Sequence, residues 1–227
     1  MRTFSGFIQS FARVFPYTLG CFGAVLVYAA PEPLFDGKTF NGWEGDTNRV
    51  WRIENEEIVG GRPDERQPVN DFLCTKREFE NFELRLKYKR GGNNGGVQFR
   101  SQRVPNSPEV CGYQADFSPG IDGFLYDESR RRRHLAQPSP ETIAMFNVRP
   151  WEWTNYRIRV EGPRIRLWVN EVLSVDFTET EPAIPRKGII ALQLHAKATE
   201  IRYKDLVIEE LPSLPDDSSK GTSEGAR

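Results

Sequence analysis

Three short stretches of this chain carry pairs of polar side chains two residues apart, each with several directed hydrogen bonds to offer. Gln98 and Arg100 alternate with Val97 and Phe99, Gln114 and Asp116 with Tyr113, Ala115 and Phe117, and Gln193 and His195 with Ile190, Leu192 and Leu194. Residues at i and i+2 of a strand share one face, so each stretch offers one polar pair to a surface and an apolar set to a core. If the three strands lie in one sheet, the pairs form a polar floor. The plainer alternative is an ordinary solvent face. Solvent faces favour Lys, Glu and Thr, as Glu83 to Lys89 do here, whereas Gln, Asp, Arg and His are suited to gripping a polar ligand. His195 is read as the only histidine in a strand context, and an imidazole titrates near neutrality, which suits proton transfer. A second candidate acid or base is Glu128 in the run FLYDESRRRRH. There the Asp-Glu pair before the arginines can pin a loop over the site, with Tyr126 and Arg130 beside it as candidate binding groups. Read as a plain charge run, the same segment is a solvated loop. Asn93-Asn94-Gly95-Gly96 reads as a turn into the Val97 strand, and Asn94 joins the candidate binding set at its edge.

Period-2 alternation sets out the elements that must position these groups. Leu84, Leu86 and Tyr88 alternate with charged residues, as do Tyr156, Ile158 and Val160, and, after a Gly162-Pro163 turn, Ile165, Leu167 and Val169. A turn at Asn170-Glu171 leads to Leu173 to Phe177, giving a three-strand antiparallel meander. Further strands are expected at Val50 to Ile53, Glu57 to Val59, Val97 to Arg100, Tyr113 to Phe117, Gly188 to His195 and Glu200 to Glu209. The last changes phase between Tyr203 and Leu206, which predicts a bulge near Lys204-Asp205. Some ten strands with hardly any helix predict an all-β sandwich of two antiparallel sheets.

Composition agrees: 12% aromatic residues, 19 Gly and 16 Pro in 227 residues favour strands and turns. A formal net charge of −1 gives no global attraction to nucleic acid or to an acidic membrane. The chain has no HExxH, Walker A, GxGxxG or GxSxG sequence and no CxxC pair, so zinc protease, nucleotide-dependent and α/β-hydrolase chemistries are unsupported. No cofactor is evident, and a calcium ion held by carboxylates and backbone carbonyls stays open, so metal ligands are unassigned. Residues 1–30 read as an export leader, with Arg2 and Arg13 before the apolar run Tyr17 to Ala30 and small residues near Ala29 for cleavage. An uncleaved anchor is the alternative. Cys74 and Cys111 would then be left either to pair or to stay apart. The tail 212–227 is built from Pro, Ser, Gly and charges and is expected to be disordered, leaving residues 33–211 as one domain.

Several segments resemble a known family in the expected order. These are LFDGKTFNGW from Leu34, Trp51-Arg52-Ile53-Glu54-Asn55, Asn94-Gly95-Gly96-Val97-Gln98-Phe99-Arg100-Ser101, Gly112-Tyr113-Gln114, Leu125-Tyr126-Asp127-Glu128, Gly188 to His195, and Tyr203-Lys204-Asp205-Leu206. Together they are similar to the 3-keto-disaccharide hydrolase domain family over residues 33–211. The resemblance implies a concanavalin A-like jelly-roll sandwich and a carbohydrate partner, a 3-keto-glycoside. A ketone at C3 acidifies the C2 proton, so a base can form an enolate that expels the C1 substituent; water can then add back. Chemistry and position together suggest His195 as base, Arg100 or Gln193 as the oxyanion donor, and Glu128 or Asp116 as acid or as the partner orienting His195. Asn94, Gln98, Gln114, Tyr126 and Arg130 complete the candidate binding set. The alternative is a non-catalytic carbohydrate-binding module using the same face.

Overall fold

The computed structural model describes residues 29–91, 94–198 and 200–213, so most of the expected leader and tail lies outside the described residues. The strands are β1 (Glu32–Pro33), β2 (Trp43–Glu44), β3 (Trp51–Glu54), β4 (Glu57–Gly61), β5 (Asp71–Phe79), β6 (Phe82–Arg90), β7 (Gly95–Arg103) and β8 (Val110–Phe117). They continue with β9 (Leu125–Glu128), β10 (Arg133–Ala136), β11 (Thr154–Glu161), β12 (Arg164–Val169), β13 (Val172–Thr178), β14 (Gly188–Leu194) and β15 (Glu200–Glu210). One short helix, α1 (Pro140–Met145), interrupts them; Ser139 caps it by accepting from the Thr142 N–H.

Two antiparallel sheets face each other. The first runs β13-β12-β11-β6-β15-β4-β3 with β1 paired to β15, and the second runs β10-β9-β8-β7-β14-β5-β2. The expected meander is β11, β12 and β13. Its second turn has Asn170 and Glu171 both at positive φ, the twist that a two-residue hairpin needs. The expected bulge in β15 is present: Asp205 has φ 52° and the pairing with β6 shifts between Lys204 and Val207. Leu84, Leu86, Ile158, Val160, Ile165 and Leu167 meet Val97, Phe99, Ala115, Phe117, Ile190, Leu192 and Leu194 in one core. Burying side chains of this size contributes roughly 1.5–3 kcal/mol each.

Three core tyrosines of the first sheet span to the second. Tyr156 Oη donates to Asp116 O (2.9 Å), Tyr203 Oη to Gln193 O (2.7 Å) and Tyr88 Oη to Asp122 Oδ1 (2.8 Å). Tyr88 also stacks on Phe117 with ring centroids 4.0 Å apart. The buried hydroxyls thus find partners, as they must in an apolar interior, and those partners are backbone or loop groups beneath the polar face.

The β7–β8 hairpin does not continue in the plane of its sheet. Pairing shifts between Phe99 and Gln102, where Arg100 has φ 47°. Beyond this bulge Arg103 forms an ion pair with Glu44 on β2, across β14 and β5 in the strand order. Val110 packs with Phe72, Cys74, Ile189 and Ala191 on the outer face of those two strands. The hairpin therefore arches over the outer surface of the second sheet. Cys74 and Cys111 are both free.

Candidate functional site

Cross-strand register builds a polar surface on the outer face of the second sheet. Gln98 lies opposite Gln114, which lies opposite Tyr126, which lies opposite His134. One step along, Gln193 lies opposite Gly96, and Gly96 opposite Asp116. Gly96 is needed there, since a Cβ would sit 2.7 Å from Gln114 Cγ. Gln98, Gln114, Asp116 and Gln193 are all buried.

The floor is wired toward one carboxylate. Ser101 Oγ donates to Gln98 Oε1 (2.9 Å), Gln98 Nε2 to Gln114 Oε1 (2.8 Å), and Gln114 Nε2 to Asp116 Oδ1 (2.5 Å). The other Asp116 oxygen lies 3.7 Å from His134 Nε2, an ion-pair distance rather than a hydrogen bond. Burial raises the Asp116 pKa, while His134, Gln114 and the charge of His195 pull it back. A buried carboxyl in reach of the His134 imidazole, and within the field of His195, is an arrangement able to move protons.

Next to it, Gln193 is fully buried, yet neither Nε2 nor Oε1 has a partner, and Asn94 Oδ1 is likewise buried and unpartnered. An unpaired buried amide costs roughly 1–3 kcal/mol, so these atoms mark where a polar ligand would be welcomed. Other such atoms among the described residues, on Glu83, Arg90, Arg130 and Arg157, do not lie on this face.

His195 follows β14 in the phase of Gln193. Its Nδ1 lies 2.7 Å from Ala196 O; a carbonyl only accepts, so Nδ1 carries a proton, and in the neutral ring the lone pair is on Nε2. Glu128, one residue pair beyond Tyr126 on β9, is held up in pKa by burial first, then by the charges of Glu109 and Asp116. Glu109 sits at the tip of the arch, bonded to Asn70. The raised carboxyl favours the protonated form that a general acid needs. Among the described residues no three His, Cys, Asp or Glu side chains group as metal ligands.

The family model described as the 3-keto-alpha-glucoside-1,2-lyase-like domain matches residues 30–209. The chain belongs to this family. A curated relative, the 3-keto-disaccharide hydrolase of Bacteroides thetaiotaomicron, is 37% identical over 79 residues, covering 31% of this chain and 27% of that protein. The match thus spans about a quarter of that relative's length. Among solved structures, a proposed glycosyl hydrolase of Parabacteroides distasonis ATCC 8503 superposes with TM-score 0.60 at 19% identity, over 80% of this chain and 94% of that one. Carbohydrate-binding module CBM66 from Bacillus subtilis gives 0.58 at 15% identity, over 74% and 96% of the two chains. The Bacillus licheniformis β-glucanase gives 0.51 at 9% identity, over 81% and 98%. These likenesses establish for this member of the lyase-like family the jelly-roll sandwich that the family resemblance implies.

Most expected site residues of this family member come together: Gln98, Gln114, Asp116, Tyr126, Glu128, Gln193, Asn94 and His195 all belong to one face or its rim. Two do not. The left-handed φ of Arg100 turns its side chain off the floor, and Ser101 takes the place expected for it. Arg100 instead donates to Glu80 O (2.8 Å), Gly162 O (2.7 Å) and Asn81 Oδ1 (3.1 Å). It ties β7 to the β5–β6 connection between the sheets and to the β11–β12 turn of the first, and burial lowers its pKa to about 10.

Arg130 also turns away. It donates to Asp127 (3.0 Å) over the Tyr113 ring, where Arg131 and Glu179 complete an inward ionic cluster. Asp127 pairs with Tyr113 and so shares its inward side. Arg130 and Arg131 therefore brace the inner side of β9 rather than a loop over the site, while Arg132 and Arg133 are exposed.

Nor is His195 the histidine that lies in a strand: β14 ends at Leu194, one residue short of the expected bound. His134 lies on β10, its ring edge-on to Phe124 and Tyr126. Its alternation is masked by the charged run preceding it, and only the pairing with Tyr126 reveals it. Of the tryptophans, Trp43 and Trp51 are core, Trp153 lies between Lys89 and Lys204, Trp168 lies under Arg157, and Trp151 is exposed.

Proposed function

We propose that this chain cleaves 3-keto-glycosides by removing the C2 proton. His195 Nε2 takes that proton; the electron pair of the broken C2–H bond moves toward C3, giving an enolate. Gln193 Nε2–H donates to the enolate oxygen, which supplies the partner its buried amide lacks. Collapse of the enolate forms the C1–C2 double bond and breaks the C1–oxygen bond. Glu128, or Asp116 through its contact with His134, gives a proton to the departing oxygen. Water adding across the double bond would complete a net hydrolysis. The paired carboxylates of ordinary glycosidases are not required for this route.

The observation that carries the reading is a doubly unpartnered Gln193 amide, with His195 two residues on in the same phase, set across Gly96 from an Asp116 carboxyl that His134 approaches. Replacing His195 with Ala should lower turnover of 3-keto-trehalose and 3-keto-sucrose by roughly 10²–10⁴-fold while the melting temperature holds. Undiminished turnover would remove His195 from the role. Titration with keto and unmodified disaccharides, followed by product analysis, separates this from a binding module, for which sugar is bound and none consumed.

We further read the protein as exported, on the strength of the Arg-flanked apolar run ending at Ala30. N-terminal sequencing of the protein recovered from cells should begin near Pro31; an intact Met1 would refute cleavage.

A further inference from the structure

We propose that Asn70 is a positioning residue for His195 and couples it to the tip of the β7–β8 arch. This rests on the reading of His195 as the base. Asn70 immediately precedes β5, and its carboxamide is used at both ends. Oδ1 accepts from Ala196 N (2.9 Å), and Nδ2 donates to Glu109 Oε1 (3.1 Å). Ala196 O in turn accepts from His195 Nδ1 (2.7 Å).

Other bonds hold the same turn: Lys197 N donates to Gln67 O (2.7 Å), Gln67 N to Ala198 O (2.9 Å), and Ala198 N to His195 O (3.0 Å). All of these are backbone to backbone. The Ala198 N–His195 O bond holds the His195–Ala196 peptide from one side, and the Lys197 N–Gln67 O bond holds the peptide that carries Ala196 O. Asn70 adds a side-chain hold on the Ala196 N–H. Without it the turn rests on its main-chain bonds alone, and Ala196 O is less firmly set against Nδ1, so the proton on Nδ1 and the lone pair on Nε2 are less firmly fixed. The third member, Glu109, stands on the arch whose Val110 packs over β5 and β14 and whose charge reaches Glu128. A seated arch and a correctly protonated His195 are therefore joined through one amide.

The test uses the full chain in four forms: wild type, Asn70→Ala, Asn70→Asp, and Asn70→Asp with Glu109→Gln. The double variant exchanges donor and acceptor, since the amide introduced by Glu109→Gln can donate to a carboxylate that still accepts from Ala196 N. Three readouts are taken: ¹⁵N shifts of the His195 ring, kcat and KM on 3-keto-trehalose, and the melting temperature. Asn70→Ala removes the acceptor for Ala196 N, and in Asn70→Asp repulsion from Glu109 draws the carboxylate away from it; both are expected to lose part of the Nδ1–H tautomer and to lower kcat by on the order of tenfold with KM little changed. The double variant is expected to recover both.

An Asn70→Ala protein that keeps the tautomer and kcat overturns the proposal. So does a double variant no better than Asn70→Asp, a comparison that decides the matter even if the alanine variant does not fold. Should wild type consume no keto-sugar, the functional reading fails, while the ring shifts still report on Asn70.

Discussion

At Arg100 a backbone φ of 47° decides which surface a guanidinium serves. Strict alternation would set it beside Gln98 as an anion-stabilising group. In the folded chain it is a clamp with three protein acceptors, two of them main-chain carbonyls. Replacing Arg100 with Met keeps much of the stem volume but takes the guanidinium from Glu80 O and Gly162 O, while Asn81 Oδ1 keeps the Gly162 N–H. The expected loss is roughly 3 kcal/mol of stability, read from the denaturant midpoint, because buried acceptors lose charge-assisted partners. A midpoint unchanged from wild type would show that the clamp is dispensable. Asp116 presents the opposite case: alternation places it correctly, and the fold adds the histidine that the sequence pattern hides. His134 and Asp116 are separated by a loop, strand β9 and a turn, and their approach is a property of pairing between β8, β9 and β10.

Between β7 and β8 the decisive features are a glycine and a bulge. Gly96 lets the Gln114 side chain lie flat across β7, so that its amide reaches both Gln98 and Asp116. A Gly96→Ala side chain would displace Gln114 and break the donor chain. Turnover of 3-keto-trehalose should fall about tenfold with at most about 1–3 kcal/mol lost from overpacking; full turnover in that variant would sink the idea that the chain tunes Asp116.

The elements legible in the sequence are those whose physics is local. The β11–β12–β13 meander announces itself through alternation and two tight turns, and the β15 bulge through its change of phase. Strand β5 (DFLCTKREF) escapes the alternation pattern because apolar residues run consecutively at its start, with Phe72 and Cys74 under the arch and Leu73 in the core. Strands β9 and β10 are hidden by the arginine run between them, and α1 is too short to show a helical period. Asn70 and Glu109, 39 positions apart, carry no mutual signal in the sequence.

Across the whole molecule, a single apolar interior joins two sheets of unequal duty. The first is faced outward by ion pairs such as Arg159 with Glu83 and Arg202 with Glu57, and the second bears the polar floor. Besides the Arg100 clamp, the three phenols described above link them. Mechanically these are shear pins. For one sheet to slide past the other, Tyr88, Tyr156 and Tyr203 would each have to give up a buried bond with no water to replace it, at roughly 1–3 kcal/mol apiece. Two of the pins end on the carbonyls of Asp116 and Gln193 themselves. The amides of β8 and β14 should therefore exchange with solvent through opening of the whole sandwich rather than by local breathing, and whatever motion admits a ligand is left to the arch.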